Sequence, residues 1–127
     1  MPINVLIVDD SSTMRAFIRR TLASTQLSLG DIFEAGNGRE GLAQMEAHWM
    51  DLVLADLNMP DMTGVEMIER MAANPMLSSL PVVVVSSEGD QAVLDSLARK
   101  GVREFIHKPF QASLLQDVVE RVLSASA

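Results

Sequence analysis

Hydrophobic residues gather into short runs at Val5 to Val8, Ile32 to Ala35, Leu52 to Ala55 and Val82 to Val85. All but the second are continuous rather than alternating. A continuous run rich in β-branched residues suits a strand covered on both faces, as in a parallel sheet. A weaker candidate strand runs from Glu104 to Ile106. Between the runs the period lengthens to that of an amphipathic helix. Met14, Phe17, Ile18 and Leu22 share one face, and so do Val65, Ile68, Met71 and Ala72. Leu94, Leu97 and Ala98 form another stripe. Leu114, Leu115, Val118, Val119 and Val122 form the strongest. The segment from Arg39 to Ala47, with Leu42 and Met45, has a weaker helical pattern, and Gly38 and Gly41 lie at or near its start.

The ends of these elements carry signals of their own. Ser12 is placed to cap the first helix. Arg99-Lys100-Gly101 puts cations in a last turn and glycine just beyond it. Pro60, Pro75, Pro81 and Pro109 fall between elements, where a missing N–H does no harm. The order is strand then helix, five times over. Short links between parallel strands require right-handed crossovers and helices on both faces, so the expected fold is a doubly wound α/β domain. Such folds bind ligands beyond the carboxyl ends of the strands, at the topological switch point.

A chain of 127 residues fits one domain, here residues 1–127, with no output domain expected after the last helix. Hydrophobic residues make up 48% and charged residues 21%, enough apolar surface for a packed core. The 17 acidic and 10 basic side chains give a formal charge of −7. That balance opposes binding to nucleic acid or to anionic membranes. Cysteine is absent, so no disulfide framework or thiolate metal site forms. Met1-Pro2-Ile3-Asn4 lacks the basic start of a signal peptide. No apolar run approaches the roughly 20 residues needed to cross a bilayer. A cytoplasmic location is the default expectation.

The strand ends are where the chemistry collects. Strand one runs into Asp9-Asp10, strand three ends at Asp56, strand four at Ser86-Ser87, and strand five is followed by Lys108-Pro109. Three carboxylates and one ammonium sum to −2, and such a cluster repels itself unless a cation joins it. Mg²⁺ brings the sum to zero, takes oxygen ligands and keeps several waters. Asp10 and Asp56 are expected as direct ligands, Asp9 as a ligand through water, and a backbone carbonyl near Asn58 as a further one. A carboxylate beside such a metal can also act as a nucleophile towards phosphorus. Lys108 and Ser86 would then hold phosphoryl oxygens.

Several motifs together carry a resemblance. They are Val8-Asp9-Asp10, Asp56 within Leu54-Ala55-Asp56-Leu57-Asn58-Met59-Pro60, Gly64, Ser86-Ser87-Glu88, Phe105 and Lys108-Pro109-Phe110. Over essentially the whole chain the sequence resembles the response-regulator receiver family, and within it the single-domain chemotaxis members. The resemblance implies a flavodoxin-like (βα)5 fold with strand order 2-1-3-4-5. It implies Asp56 as phosphoacceptor, Asp9, Asp10, Asp56 and the Asn58 carbonyl around Mg²⁺ (or Mn²⁺), and Lys108 on the phosphoryl group. Ser86 and Phe105 would be the switch pair, and the Lys108–Pro109 bond would be cis. The implied donors are a histidine kinase or small acyl phosphates, and the implied output is a target protein such as a flagellar motor switch. A phosphate sink or relay intermediate is the alternative output. The implied catalysis is limited to the protein's own phosphorylation and dephosphorylation. Chemotaxis members commonly carry Thr where this chain has Ser86 and Tyr where it has Phe105. The second change removes a hydroxyl and bears on which target is recognised. Asn58 and Glu88 resemble the pair that influences self-dephosphorylation.

Other readings weigh less. Asp9-Asp10 could merely cap a helix, Ser86-Ser87 could be a strand-end turn, and Lys108 a solvated charge. An FMN carrier needs a hydroxyl- and glycine-rich phosphate loop where two carboxylates stand. A haloacid-dehalogenase-type phosphatase needs a second Asp where Asn58 stands. His107 is expected to point away from Lys108. His48-Trp49 is expected to pack over a helix end. Most methionines read as core filler, with Met59 and Met62 as possible exceptions in the loop after Asp56.

Overall fold

The computed structural model describes residues 2–126; readings that involve Met1 and Ala127 lie outside the described residues. Strands β1 (Ile3–Val8), β2 (Leu29–Ala35), β3 (Leu52–Ala55), β4 (Val82–Ser86) and β5 (Val102–His107) alternate with five helices. The helices are α1 (Ser12–Ala23), α2 (Gly38–Ala47), α3 (Gly64–Ala72), α4 (Gln91–Arg99) and α5 (Ala112–Ser126). The strands form one parallel sheet in the order β2-β1-β3-β4-β5. This is the doubly wound (βα)5 fold, with its switch point between β1 and β3.

Alternate residues of each strand feed opposite cores, as a period of two requires. Leu6, Val8, Val53, Ala55, Val82 and Val84 pack beneath α2, α3 and α4. Val5, Ile7, Leu52, Leu54, Val83 and Val85 pack beneath α1 and α5, against Ile18, Leu22, Leu115, Val118, Val119 and Val122. Because both faces are covered, the central strands need apolar side chains at every position, and this produces the continuous runs. The edge strand β2 is covered less, so its pattern is broken by Gly30, Asp31 and Glu34.

Local chemistry fixes the helix starts. Ser11, not Ser12, caps α1: its Oγ accepts from Met14 N–H at 3.1 Å. Asn37 caps α2 and Asp90 caps α4. Thr63 and Glu66 form a reciprocal capping box on α3. Gly38 N–H donates to Met62 O at 2.8 Å, and a Cβ at Gly38 would lie 2.8 Å from Thr63 O. Glycine therefore lets α2 dock on the loop before α3.

Some expectations need correcting. Strands β1, β2 and β5 begin earlier than the apolar runs, at Ile3, Leu29 and Val102. Ala72, Ala98 and Leu114 are exposed, whereas Met67 is fully buried and is the α3 residue that the stripe omitted. Met59 and Met62 are buried core residues. Trp49 does not pack: it is 77% exposed, with its indole N–H on Asp51 Oδ1. His48 instead stacks on Phe33, with ring centroids 4.3 Å apart.

Candidate functional site

Sheet register brings the polar residues together. Val8 pairs with Ala55, so the residues after them, Asp9 and Asp56, leave the sheet side by side. Asp56 N–H donates to Val8 O and Asp9 N–H to Ala35 O, which continues the ladders one residue beyond the strands. Ser86 pairs with His107, and Lys108 N–H donates to Ser86 O at 2.9 Å. The Lys108–Pro109 peptide is cis.

Asp9 and Asp56 are buried, and Asp10 is exposed at the mouth. One carboxylate oxygen from each of the three lies within 4.8 Å of the others. Lys108 Nζ reaches Asp9 Oδ2 at 2.8 Å and Asp56 Oδ2 at 3.3 Å. Burial by itself lowers the Lys108 pKa, but the hydrogen bond and charge of Asp9 and the charge of Asp56 outweigh it, and the net shift is upward. Lys108 therefore stays charged across the neutral range. The remaining oxygens are also held. Asp9 Oδ1 accepts from Ser11 N–H at 2.9 Å, and Asp56 Oδ1 accepts from Leu57 N–H at 2.7 Å and Asn58 N–H at 3.4 Å. Asp9 thus also braces the turn into α1, although the cap of that helix is Ser11 and not an acidic residue.

The donor set fits a small hard cation. It is made of oxygens only, carries excess negative charge, and is half open, which leaves room for water ligands.

Ser86 is buried at the end of β4, and its Oγ accepts from Glu88 N–H at 3.2 Å. Phe105 is not at the end of β5 but pairs with Val84, two residues before the end. The two nonetheless share a cavity of about 70 Å³, lined also by Val84, Leu94, Ile106 and His107. His107 lies on the same face of β5 as Phe105, which is why it faces that cavity rather than the carboxylates. Glu88 Oε2 accepts from Gly89 and Asp90 N–H, holding the turn into α4. Asn58 is exposed on the loop after Asp56.

Sequence reasoning missed two residues beside the pocket. Arg15 Nη1 donates to the Asp9 main-chain oxygen at 2.5 Å, and its Nε donates to Glu34 Oε1 at 2.8 Å. Burial raises the Glu34 pKa, but the guanidinium groups of Arg19 and Arg15 outweigh it and hold the carboxyl below its ordinary value. Opposite charges near the start of α1 and the end of β2, neighbours in this topology, were the available signal.

The model of the response regulator receiver domain matches residues 5–120. The chain is 34% identical over 123 residues to the chemotaxis protein CheY1 of Helicobacter pylori J99, covering 96% of this chain and 98% of that one. It is 34% identical over 118 residues to the chemotaxis protein CheY of Pseudomonas aeruginosa, covering 93% and 94%. Among solved structures, Vibrio cholerae chemotaxis protein CheY4 superposes with a TM-score of 0.85 at 27% identity, covering 96% and 99%. A CheY-like receiver domain from Methanospirillum hungatei, at 23% identity, reaches 0.88 over 99% and 97% and shares the fold. The chain belongs to the response regulator receiver domain family.

Proposed function

We propose that this protein is a chemotaxis-type response regulator that accepts a phosphoryl group on Asp56 and so changes its affinity for a target protein. The observation that carries this reading is the convergence of Asp9, Asp10 and Asp56 with the Lys108 ammonium at the carboxyl edge of the sheet. The names of curated relatives 34% identical to this chain support the chemotaxis role.

Asp56 supplies the nucleophilic oxygen. It attacks the phosphorus of a kinase phosphohistidine or an acyl phosphate; the P–N or P–O bond to the donor breaks as the new P–O bond forms. Asp9, Asp10 and Asp56, with the Asn58 carbonyl, would hold Mg²⁺ (or Mn²⁺). The ion supplies charge neutralisation for the phosphoryl oxygens. Lys108 neutralises a further oxygen, and its bonds to Asp9 and Asp56 already hold its ammonium at the pocket. Leu57 and Asn58 N–H keep the Asp56 carboxylate oriented. The protein catalyses only its own phosphorylation and dephosphorylation, acts in the cytoplasm, and takes a histidine kinase as its donor.

Output would run through Ser86. Drawn towards the phosphoryl group, its hydroxyl leaves Glu88 N–H and enlarges the space beside Phe105, whose ring moves inward. The α4-β5-α5 face changes with it. To move such an equilibrium from 1:99 to 99:1, phosphorylation must favour the active state by about 5.5 kcal/mol.

Labelling with acetyl phosphate in magnesium tests the reading. Wild type is expected to gain one phosphoryl group by mass, and Asp56→Asn none. Labelling of the Asp56→Asn protein, or turnover of nitrophenyl phosphate at ordinary enzymatic rates, would overturn it.

A further inference from the structure

We infer that Arg15 is a positioning residue for the acidic pocket, acting on Asp10 through the peptide that joins it to Asp9. The inference rests on the Mg²⁺-dependent function proposed above.

The three carboxylates are not equally restrained. Asp56 is held by Leu57, Asn58 and Lys108, and Asp9 by Ser11 and Lys108. Asp10 is exposed, and among the described residues its carboxylate receives no hydrogen bond. Only its backbone is anchored, and the backbone sets the point and direction from which the side chain leaves. A peptide unit is planar, so fixing the Asp9 carbonyl fixes the plane that ends at the Asp10 Cα. Arg15 does this: Nη1 donates to Asp9 O from one side of its fork.

The other side of the fork is itself anchored. Arg15 Nε donates to Glu34 Oε1 on β2, so the guanidinium bridges two elements. The Arg15 side chain is 20% exposed, a largely enclosed setting for a planar group with a fixed donor geometry. Arg19 also pairs with Glu34, through two hydrogen bonds, but its remaining bond goes to Ile32 O and not to the acidic turn. The two arginines thus share a carboxylate and differ in what else they hold. Arg19 is the internal control.

Charge does not explain the arrangement. Glu34 lies against the Arg15 guanidinium and offsets its field at the pocket. Losing a cation near a Mg²⁺ site would, if anything, tighten binding. Weakened binding on losing Arg15 therefore reports geometry. Removal of a group that orients a metal ligand typically costs 10- to 100-fold in affinity.

Calorimetric titration with magnesium chloride alone decides the matter, with folding checked by circular dichroism. Arg15→Ala is expected to weaken binding about tenfold and Arg19→Ala less than about twofold, although both lose an ion pair with Glu34. Arg15→Lys keeps the charge but cannot bridge both partners, so an intermediate loss is expected. It also serves as the test if Arg15→Ala does not fold. Wild-type affinity in Arg15→Ala, or equal losses in the Arg15 and Arg19 variants, would overturn the inference while leaving the proposed function standing. Absence of magnesium binding by the wild type would sink both.

Discussion

The Lys108 ammonium lies 2.8 Å from Asp9 Oδ2, joining residues 99 apart in sequence and from non-adjacent strands. Lys108 also touches Asp56 at 3.3 Å, so one cation bridges the two buried carboxylates of the pocket. Losing one partner of a buried pair is costly because the other charge stays behind. Lys108→Met is expected to destabilise the magnesium-free protein by about 1–3 kcal/mol, less than a fully enclosed pair would lose. Magnesium should restore most of this, since the ion supplies the missing positive charge. Acetyl-phosphate labelling should still fall at least about tenfold, because a phosphoryl oxygen loses its contact. Melting curves with and without magnesium, together with labelling rates, check both parts. The pH dependence has a definite sign. The folded-state pKa of Lys108 is raised, so its contribution is complete below the unfolded value and fades only as pH rises through the folded one. Between pH 6 and about 9 it should not vary.

Gly64 is the tightest point beneath the Asp56 loop. Its N–H donates to Leu57 O at 3.0 Å, and a Cβ would clash with the Asp56 carbonyl oxygen and lie only 2.8 Å from Leu57 Cα. These neighbours are backbone atoms and cannot swing aside. Gly64→Ala is expected to cost about 2–4 kcal/mol, at the upper end of ordinary substitutions. It should also slow phosphorylation, because the loop that must yield carries Asp56. Gly89→Ala is the control: nothing lies within 4 Å of its Cβ position, and a change below about 0.5 kcal/mol is expected. Urea denaturation of both variants measures the contrast.

Much of this was legible in the sequence, for a physical reason. A parallel sheet covered on both faces writes itself as unbroken apolar runs, and β3 matches its run from Leu52 to Ala55 residue for residue. The edge strand β2 is half-covered, so its start at Leu29 left no apolar signature. The pocket residues were legible because each lies at, or within two residues of, the carboxyl end of a strand. What escaped depends on side-chain reach. Nothing in the one-dimensional pattern says that Ser11 rather than Ser12 turns its hydroxyl to the helix, or that Arg15 spans from Asp9 to Glu34. Trp49 escaped for the opposite reason: a large ring suggests burial, yet a hydrogen bond to Asp51 holds it at the surface.

Glu34 gives the acid side of the stability profile. Its folded pKa is depressed by Arg19 and Arg15 against the opposing effect of burial. A depressed value means that the contribution is present above the unfolded pKa and lost as pH falls through the folded one. The side chain is 34% exposed, so solvent screens the pairs, and about 0.5–1 kcal/mol is a fair magnitude. Glu34→Gln should therefore be less stable than wild type at pH 7 by about that amount, with the two curves converging as pH falls through the depressed Glu34 value. The gap should also shrink in molar salt. Chemical denaturation across that pH range checks the sign.

Ser86 separates accepting the phosphoryl group from responding to it. In the unphosphorylated protein its Oγ accepts from Glu88 N–H and borders the cavity of about 70 Å³ shared with Phe105. Ser86→Ala removes that acceptor but touches neither the carboxylates nor Lys108. Stability should fall by about 0.5–1.5 kcal/mol, the usual worth of one such bond. Labelling of Asp56 by acetyl phosphate should stay within several-fold of wild type. The response should not survive. In wild type, amide resonances of α4 and β5 are expected to shift on beryllofluoride addition; in Ser86→Ala the shifts should stay confined to the residues around Asp56. Full propagation of the shifts in the variant would show that Phe105 moves without the hydroxyl, and the coupling would then have to run through the turn held by Glu88 instead.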